Sequence, residues 1–342
     1  MVKRKAVLVF GGILFGMCIF LGNGGRASAE ESMSADTEAA AAASASGIQD
    51  SSSPVTPYAA YVSMKEDTQV HLLPALPQQT LGTLKAGQPA IAMGKTDNGW
   101  LQIYYAGMIG YIQESVTQAY AVPQPEAWEA LPVRNASGAL TINALGDSIT
   151  YGDKLADTSS SFPNIVSAKA GAAALNNYGW NGSNIAGQHP DRLIDRYLAM
   201  ERDADLVLVL GGTNDYGGYN EQGTALGTLG DMTPDTFYGG LNLLMCGLRQ
   251  MYPDSEIVFM TPLRRVGYMR RNKSGYCLNE YAAAVREMAT FWGIRVIDLF
   301  NEPELDFSSK QASYLVDGLH PNETGHALVG ACVYRRLFVS NE

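Results

Sequence analysis

Short apolar runs separated by stretches of helical periodicity most constrain how the second half of this 342-residue chain can fold. The runs lie at 140–145, 206–210, 257–260 and 296–299, with a weaker run at 174–178. Helical patterns occupy the segments at 162–170, 190–202, 234–251, 278–291 and 323–338. Strands that are apolar on both faces and alternate with helices form a parallel sheet with helices on each side. The pattern therefore predicts an α/β domain that binds its ligands at the carboxyl ends of the strands.

Polar residues follow three of these runs, where the strand ends would meet at one edge of the sheet. Ser148 lies in a Gly-Asp-Ser turn before a helix, and Asn214 follows Gly-Gly-Thr after a later strand. Asp317 precedes His320 by three residues, just before the last helix. Ester hydrolysis needs an activated hydroxyl, a base and donors for the developing oxyanion. We predict that Ser148 is the nucleophile, that His320 is its base and that Asp317 orients the imidazole. The side-chain amide of Asn214 and the backbone N–H of Ser148 are candidate oxyanion donors.

Four sequence blocks occur in a fixed order along 139–342. They are Gly146-Asp147-Ser148, Gly182, Gly212-Thr213-Asn214-Asp215 and Asp317-Gly318-Leu319-His320-Pro321. Together they resemble the SGNH hydrolases, also called the GDSL esterase/lipase family, and the Gly-x-Ser-x-Gly of the α/β-hydrolases does not occur. The resemblance implies a flavodoxin-like three-layer α/β/α sandwich with a parallel sheet. It also implies an oxyanion hole made by Ser148, Gly182 and Asn214, with Gly179 as an alternative to Gly182, and it implies no metal and no organic cofactor.

Other polar residues near these blocks have more ordinary interpretations. Asp147 and Asp215 are expected to shape their loops by local hydrogen bonds. His71, His189 and His326 are expected to be structural. Trp180 either lines the substrate cleft or packs against the sheet. The basic segment 264–273 is either a solvated loop or a receiver for an anionic or saccharide substrate.

Residues 57–122 have a different sequence pattern, with short β-like runs and frequent turn residues. The runs lie at 69–73, 90–93, 101–105 and 108–112. Such a pattern indicates a small all-β barrel or sandwich. The segments 81–87 and 98–112 resemble the G-x-L-x-x-G and GW-x-x-V…G-x-x-GW-V stretches of bacterial SH3-like domains. The resemblance implies an SH3-like barrel that binds the cell wall, and a spacer that binds nothing is the alternative. A Pro-containing connector at 123–138 leads to the hydrolase domain.

The first 29 residues predict a signal peptide. A Lys-Arg-Lys cluster precedes an apolar stretch, and Ala27-Ser28-Ala29 forms a small-x-small cleavage site. The alternative, an uncleaved membrane anchor, would be short and rich in glycine. The Ala- and Ser-rich segment 30–56 contains no aromatic residue and predicts a disordered linker. We therefore expect a secreted or cell-wall-associated protein without a stable membrane anchor.

Charge and cysteine content narrow the possible partners. The formal net charge of −10 argues against a nucleic-acid partner, because phosphate binding needs clustered Lys and Arg. Three cysteines, Cys246, Cys277 and Cys332, remain after signal cleavage. They allow one disulfide and a free thiol, or three buried thiols. Their spacing, without a CxxC pair, argues against a metal site.

The combined sequence prediction is a secreted serine ester hydrolase that works through an acyl-enzyme. An exported enzyme with an SH3-like region suggests that the substrate is an acetylated saccharide or another short-chain ester of a cell-wall polymer. Hydrolysis of lipid esters or thioesters is one alternative. A wall-binding protein without catalytic activity is the other.

Overall fold

The computed structural model describes residues 53–76, 79–124, 129–131, 140–217, 223–309 and 311–339. The predicted signal peptide, nearly all of the predicted linker and most of the predicted connector lie outside the described residues. Within these ranges, no helix combines the length and the apolar character that a membrane span requires.

The first described region is all β. Its strands are β1 (Val55–Met64), β2 (Thr68–His71), β3 (Thr80–Leu84), β4 (Pro89–Thr96), β5 (Trp100–Tyr105), β6 (Met108–Gln113) and β7 (Thr117–Ala119). They pair antiparallel in the order β3-β2-β6-β5-β4-β1-β7. The turn between β5 and β6 places Ala106 and Gly107 at φ values of 47° and 78°, as a tight hairpin requires. Val70, Leu101 and Ile112 belong to a cluster of buried apolar side chains contributed by these strands.

The second region contains a five-stranded parallel sheet, which confirms the predicted α/β core. Its strands are β8 (Thr141–Gly146), β9 (Ala174–Gly179), β10 (Leu206–Leu210), β11 (Glu256–Met260) and β12 (Arg295–Ile297). Their spatial order is β12-β11-β10-β8-β9. This is the doubly wound strand order of flavodoxin-like folds. In such folds the order in which strands are added to the sheet reverses, here between β8 and β10. Ligands bind outside the carboxyl ends of the strands at such a reversal, so Gly146 and Leu210 mark the expected site.

Helices cover both faces of this sheet. They are α1 (Ser148–Tyr151), α2 (Phe162–Ala170), α3 (Leu193–Arg196), α4 (Thr213–Gly217), α5 (Phe237–Met251), α6 (Leu278–Trp292), α7 (Gln311–Tyr314) and α8 (Glu323–Phe338). Val207 and Val209 pack with α5 and α6. Leu206 and Leu208 point to the opposite face and pack with α2 and α8. Fully burying each such side chain stabilises the fold by about 1.5–3 kcal/mol.

One predicted helix is wrong in its extent. The pattern at 190–202 predicts a continuous helix, but only α3 and a 3₁₀ turn at Tyr197–Ala199 form there. Arg196, at the end of α3, instead turns its guanidinium toward backbone carbonyls at the carboxyl edge of the sheet.

The all-β region and the α/β region share a core. The Tyr61 ring of β1 lies 4.7 Å from the ring of Phe291 and 5.7 Å from that of Trp292, both in α6. The Tyr61 hydroxyl oxygen accepts a hydrogen bond of 2.6 Å from Asn242 of α5. Both regions therefore belong to one compact unit, Ser51–Glu342.

Candidate active site

The turn that carries Ser148 depends on two neighbours. Strand β8 ends at Gly146, where a Cβ atom would lie 2.6 Å from the carbonyl oxygen of Leu210 and 2.1 Å from Oγ1 of Thr150. Only glycine lets β8 and β10 stay paired while the chain turns so sharply. Asp147 then caps α1 by accepting a hydrogen bond of 2.9 Å from Ile149 N. Ser148 is thus the first residue of α1 and stands at the carboxyl edge of the sheet.

The structure brings Ser148, His320 and Asp317 together. Nε2 of His320 lies 3.0 Å from Oγ of Ser148, and Nδ1 of the same ring lies 2.7 Å from Oδ2 of Asp317. Because an ionised carboxylate only accepts hydrogen bonds, Nδ1 carries the proton, and Nε2 is left to accept the hydroxyl proton of Ser148. These contacts are within the reach that proton transfer needs.

Backbone N–H groups hold the Asp317 carboxylate in place. Its Oδ1 accepts hydrogen bonds from Leu319 N at 3.1 Å and from His320 N at 2.9 Å. Burial works toward a higher pKa of Asp317, but these hydrogen bonds and that of the imidazole outweigh burial and hold the pKa below its usual range. Asp317 is therefore ionised at neutral pH.

Asn214 and Gly182 lie on neighbouring segments at the same edge. The Asn214 amide in α4 donates to the carbonyl of Ser183 at 2.9 Å, which ties α4 to the residue after Gly182. Gly182 has a φ of 80°, and a Cβ atom there would meet nothing closer than 4.0 Å. A Cβ atom at Gly179 would lie only 2.2 Å from Tyr151 N, so this glycine is required for the packing of β9 against α1.

Two buried carboxylates shape the surrounding loops: Asp147 through the expected local hydrogen bond to Ile149 N, and Asp215 through a segment that lies earlier in the chain. Asp215 accepts hydrogen bonds from Ile185 N at 2.8 Å and Ala186 N at 3.0 Å. Oδ2 of Asp147 is buried without a hydrogen-bond partner among the described residues. Burial raises the pKa of Asp147 to about 7 and that of Asp215 to about 6.

Two residues at this edge have no signal in the sequence. Oδ2 of Asp153 lies 3.7 Å from Nε2 of His320. The Arg196 guanidinium donates to the carbonyls of Gly146 at 3.1 Å and Tyr178 at 2.6 Å, which fastens the ends of β8 and β9 together. Asp153 follows the Ser148 block by only five residues, but nothing in that spacing indicates that the chain folds back onto His320.

The remaining histidines make structural contacts. The His71 ring lies edge-on, 5.2 Å from that of Trp100. Nδ1 of His189 accepts a hydrogen bond from Asp191 N. His326 accepts one from Phe162 N at 3.2 Å, and burial lowers the pKa of His326 to about 4.

Trp180 follows β9 and does not pack into the sheet. Trp180 is 56% exposed. The guanidinium carbon of Arg196 lies 5.9 Å from the centroid of the indole ring. The Trp180 backbone N–H donates to the carbonyl of Gly146 at 3.1 Å. The indole is therefore an exposed surface beside the Ser148 turn.

One group of candidate metal ligands lies in the described part of the chain, formed by Glu302, Glu304 and Cys332. Both carboxylates form ion pairs, Glu302 with Arg336 and Glu304 with Arg335. Burial raises the pKa of Cys332 to about 11, which disfavours the thiolate that a metal requires. Arginine thus already balances the charge of these carboxylates.

Comparisons with known proteins agree with this architecture. No curated protein sequence matches the chain. A sequence model of the GDSL-like Lipase/Acylhydrolase family matches residues 144–328, more than half of the chain. The matched segment contains Ser148, Asn214, Asp317 and His320.

Several solved structures are similar to more than half of this chain. A protein from Lactobacillus plantarum is 31% identical over 58% of this chain and 96% of its own, with a TM-score of 0.52. A possible lipase from Chitinophaga pinensis is 23% identical over 58% of this chain and 97% of its own, with a TM-score of 0.48. The lipase/acylhydrolase from Enterococcus faecalis is 21% identical over 58% of this chain and 94% of its own, with a TM-score of 0.43. The chain belongs to the GDSL-like lipase/acylhydrolase family and is a serine ester hydrolase.

Proposed function

We propose that the protein cleaves esters in two steps through an acyl-enzyme formed on Ser148. The hydrogen-bonded series Ser148, His320 and Asp317 is the observation that carries this proposal. His320 takes the proton from Ser148 as its oxygen attacks the ester carbonyl, and then gives it to the departing alcohol. A water molecule, deprotonated by the same imidazole, releases the acid and restores Ser148.

Three donors are available for the oxyanion of the tetrahedral intermediate. They are the backbone N–H groups of Ser148 and Gly182 and the side-chain amide of Asn214. The Asn214 amide uses one hydrogen to bind Ser183 and retains a second for the substrate. The open space around Gly182 leaves room for the carbonyl oxygen. Removing one such donor typically costs a factor of about 10²–10³ in kcat.

The proposed substrate is a short-chain ester, foremost an acetyl ester, of a carbohydrate. The exposed indole of Trp180 offers a flat apolar face beside Ser148, and such a face can pack against a sugar ring. Arg196 lies beneath that ring and is itself fixed by backbone carbonyls, so the platform is rigid.

The proposed setting is the cell exterior. Residues 1–29 would act as a signal peptide and 30–56 as a linker. The region 57–122 would be an SH3-like barrel that holds the enzyme, 139–342, on the cell wall through the connector 123–138. The antiparallel sheet and the sequence resemblance support that assignment. Because this sheet shares a core with α5 and α6, a wall-bound sheet would also fix the orientation of the hydrolase.

The test compares the chain from residue 30 to 342 with its Ser148→Ala variant. Both are assayed on p-nitrophenyl acetate, butyrate and octanoate and on acetylated saccharides. Ser159→Ala, at an exposed position, serves as the matched control. We expect hydrolysis of acetyl esters that falls by several orders of magnitude in Ser148→Ala only.

Other outcomes would redirect the proposal. Preference for octanoate would keep the mechanism and move the substrate to lipids. A folded protein without activity on any ester would contradict the mechanism and favour the wall-binding alternative. Wall binding is measured by co-sedimentation of the whole Ser148→Ala protein with purified cell wall, because the β region is not separable from its shared core. Absence of co-sedimentation would leave the β region as a spacer.

A further inference from the structure

A cavity of about 350 Å³ lies directly beside Asp317, on a side that the hydrolysis mechanism does not use. The basic segment between β11 and α6 forms one wall, and the Asp317–Leu319 loop forms another. Val266 N donates to the carbonyl of Gly318 at 3.1 Å, so the two walls are joined next to the proposed catalytic residues. We call this space the basic cavity; its cationic lining residues are Arg265, Arg270, Arg271 and Lys273.

Arg265 is built into the wall of the basic cavity. Its Nε donates to Oγ1 of Thr213 at 2.9 Å, and its guanidinium carbon lies 5.0 Å from the ring centroid of Tyr216. A Cβ atom at Gly217 would lie 2.3 Å from Nη2 of Arg265. The absence of a side chain at Gly217 therefore makes room for the guanidinium, which is positioned on three sides.

The Arg265 charge has no carboxylate partner within 4.0 Å among the described residues, where Arg264 and Arg286 do form ion pairs. Arg265 is partly buried, and this burial lowers the pKa of its guanidinium. A partly buried cation without an anion is costly. An anionic ligand on the Nη atoms would remove that cost and form charge-assisted hydrogen bonds.

The balance of charge in the cavity also favours an anion. Three arginines, Arg265, Arg270 and Arg271, line it, and Asp317 is its only acidic lining residue within the described ranges. Three hydrogen bonds from N–H groups hold the Asp317 carboxylate toward His320 and the loop backbone, and the lining cations outnumber this one carboxylate. Arg271 is partly engaged, by Gly275 and, at 3.8 Å, by Glu280. This concentration of cations contrasts with a chain whose net charge is −10.

We propose that the basic cavity binds an anionic group, a carboxylate or a phosphate, carried by the ester substrate itself. The inference rests on the proposed function and deepens it, because it selects acidic over neutral carbohydrate esters. Asp317 lies between His320 and the cavity, so an ester at Ser148 and an anion at Arg265 occupy neighbouring positions at one edge of the sheet. Arginine binds both anions through paired N–H groups, which also fixes the orientation of the substrate.

The experiment compares three acetylated methyl glycosides at one ionic strength. The first is a glucuronide with a free carboxylate, the second is its neutral glucuronamide, and the third is a glucoside 6-phosphate. The measured quantity is the ratio of kcat/KM for each anionic ester to that for the amide. The proteins are the wild type, the double variant Arg265→Gln/Arg270→Gln and the control Lys169→Gln, which removes one exposed cation from α2.

We expect the wild type and Lys169→Gln to prefer an anionic ester by about tenfold or more, and the double variant to lose that preference. Whether the carboxylate or the phosphate gives the higher ratio identifies the anion. Equal rates on the amide and on both anionic esters, or an unchanged ratio in the double variant, would overturn the inference and leave the proposed function intact. Absence of turnover on all three esters and on p-nitrophenyl acetate would overturn both. If the double variant does not fold, Arg270→Gln alone replaces it, because no described residue forms a hydrogen bond or an ion pair with this exposed guanidinium.

Discussion

Oδ2 of Asp153 lies 3.7 Å from Nε2 of His320, the same ring nitrogen that contacts Ser148. The backbone of Asp153 is held by a 2.9 Å hydrogen bond from its N–H to the carbonyl of Ser148. Burial works toward a higher pKa of Asp153, but the ammonium of Lys154 at 2.9 Å and the nearby imidazole outweigh burial and lower the pKa. An ionised carboxylate therefore faces the nitrogen that becomes protonated when Ser148 attacks.

We predict that Asp153→Asn lowers kcat about threefold to tenfold. The carboxylate stabilises the imidazolium of His320 at the transition state, and a partly exposed charge at this distance is worth about 1 kcal/mol. The measurement is steady-state hydrolysis of p-nitrophenyl acetate. Asp157→Asn is the matched control, since Asp157 is exposed and its carboxylate accepts its hydrogen bonds from Ser159. Equal losses in both variants would show that the effect is not due to the charge at His320.

The buried carboxyl of Asp147 gives a prediction about stability. Its pKa is raised from 3.8 to about 7 in the folded protein, chiefly by burial. A group whose pKa rises on folding contributes stability that is complete below its unfolded pKa and is lost as the pH rises through the folded pKa. The wild type should therefore lose about 2–3 kcal/mol from this group between pH 5 and pH 8.

Asp147→Asn removes this titration and keeps an acceptor for Ile149 N. We therefore expect the variant to gain stability relative to the wild type as the pH rises from 5 to 8. Urea unfolding at several pH values measures the difference. A constant difference between the two proteins across this range would contradict the prediction.

The proposed triad was accessible from the sequence because its signals are local. The Gly-Asp-Ser turn follows an apolar strand, and Asp317 and His320 are separated by two residues, so one loop sets their geometry. The strand pattern also sufficed for the parallel sheet, since both faces of β10 are buried. These features depend on residues that are close together along the chain and on the spacing of apolar residues, which is visible in the sequence.

Other contacts depend on where distant segments meet, which a single sequence does not encode visibly. Arg196 looked like part of a regular helix, but the helix ends at this residue, and its guanidinium donates to carbonyls of β8 and β9. Tyr61 packs against α6 although more than 200 residues separate them. The two regions looked separable because the pattern of each is complete by itself, whereas their shared core appears only after both have folded.

The three cysteines provide a test of burial. Cys246, Cys277 and Cys332 are free and buried, which matches the second of the two states that the sequence left open. Burial raises the pKa of Cys246 to about 12 and that of Cys332 to about 11, so thiolate is scarce at neutral pH. We predict that the protein from residue 30 onward releases almost no chromophore from Ellman's reagent when folded, and three equivalents in guanidinium chloride. Fewer than three equivalents in the denatured, unreduced protein would indicate a disulfide.

The exposed indole of Trp180 provides the sharpest test of carbohydrate binding. If this ring is a platform for a sugar, Trp180→Ala should raise KM for an acetylated saccharide about fivefold, because stacking on an aromatic face contributes about 1 kcal/mol. The KM for p-nitrophenyl acetate should change far less, since that ester has no sugar ring. Trp180→Phe, which keeps a flat apolar face over Arg196, should recover most of the affinity. A loss of kcat on both esters, not recovered by phenylalanine, would instead mean that Trp180 supports the turn at Gly146, where its backbone N–H is bound.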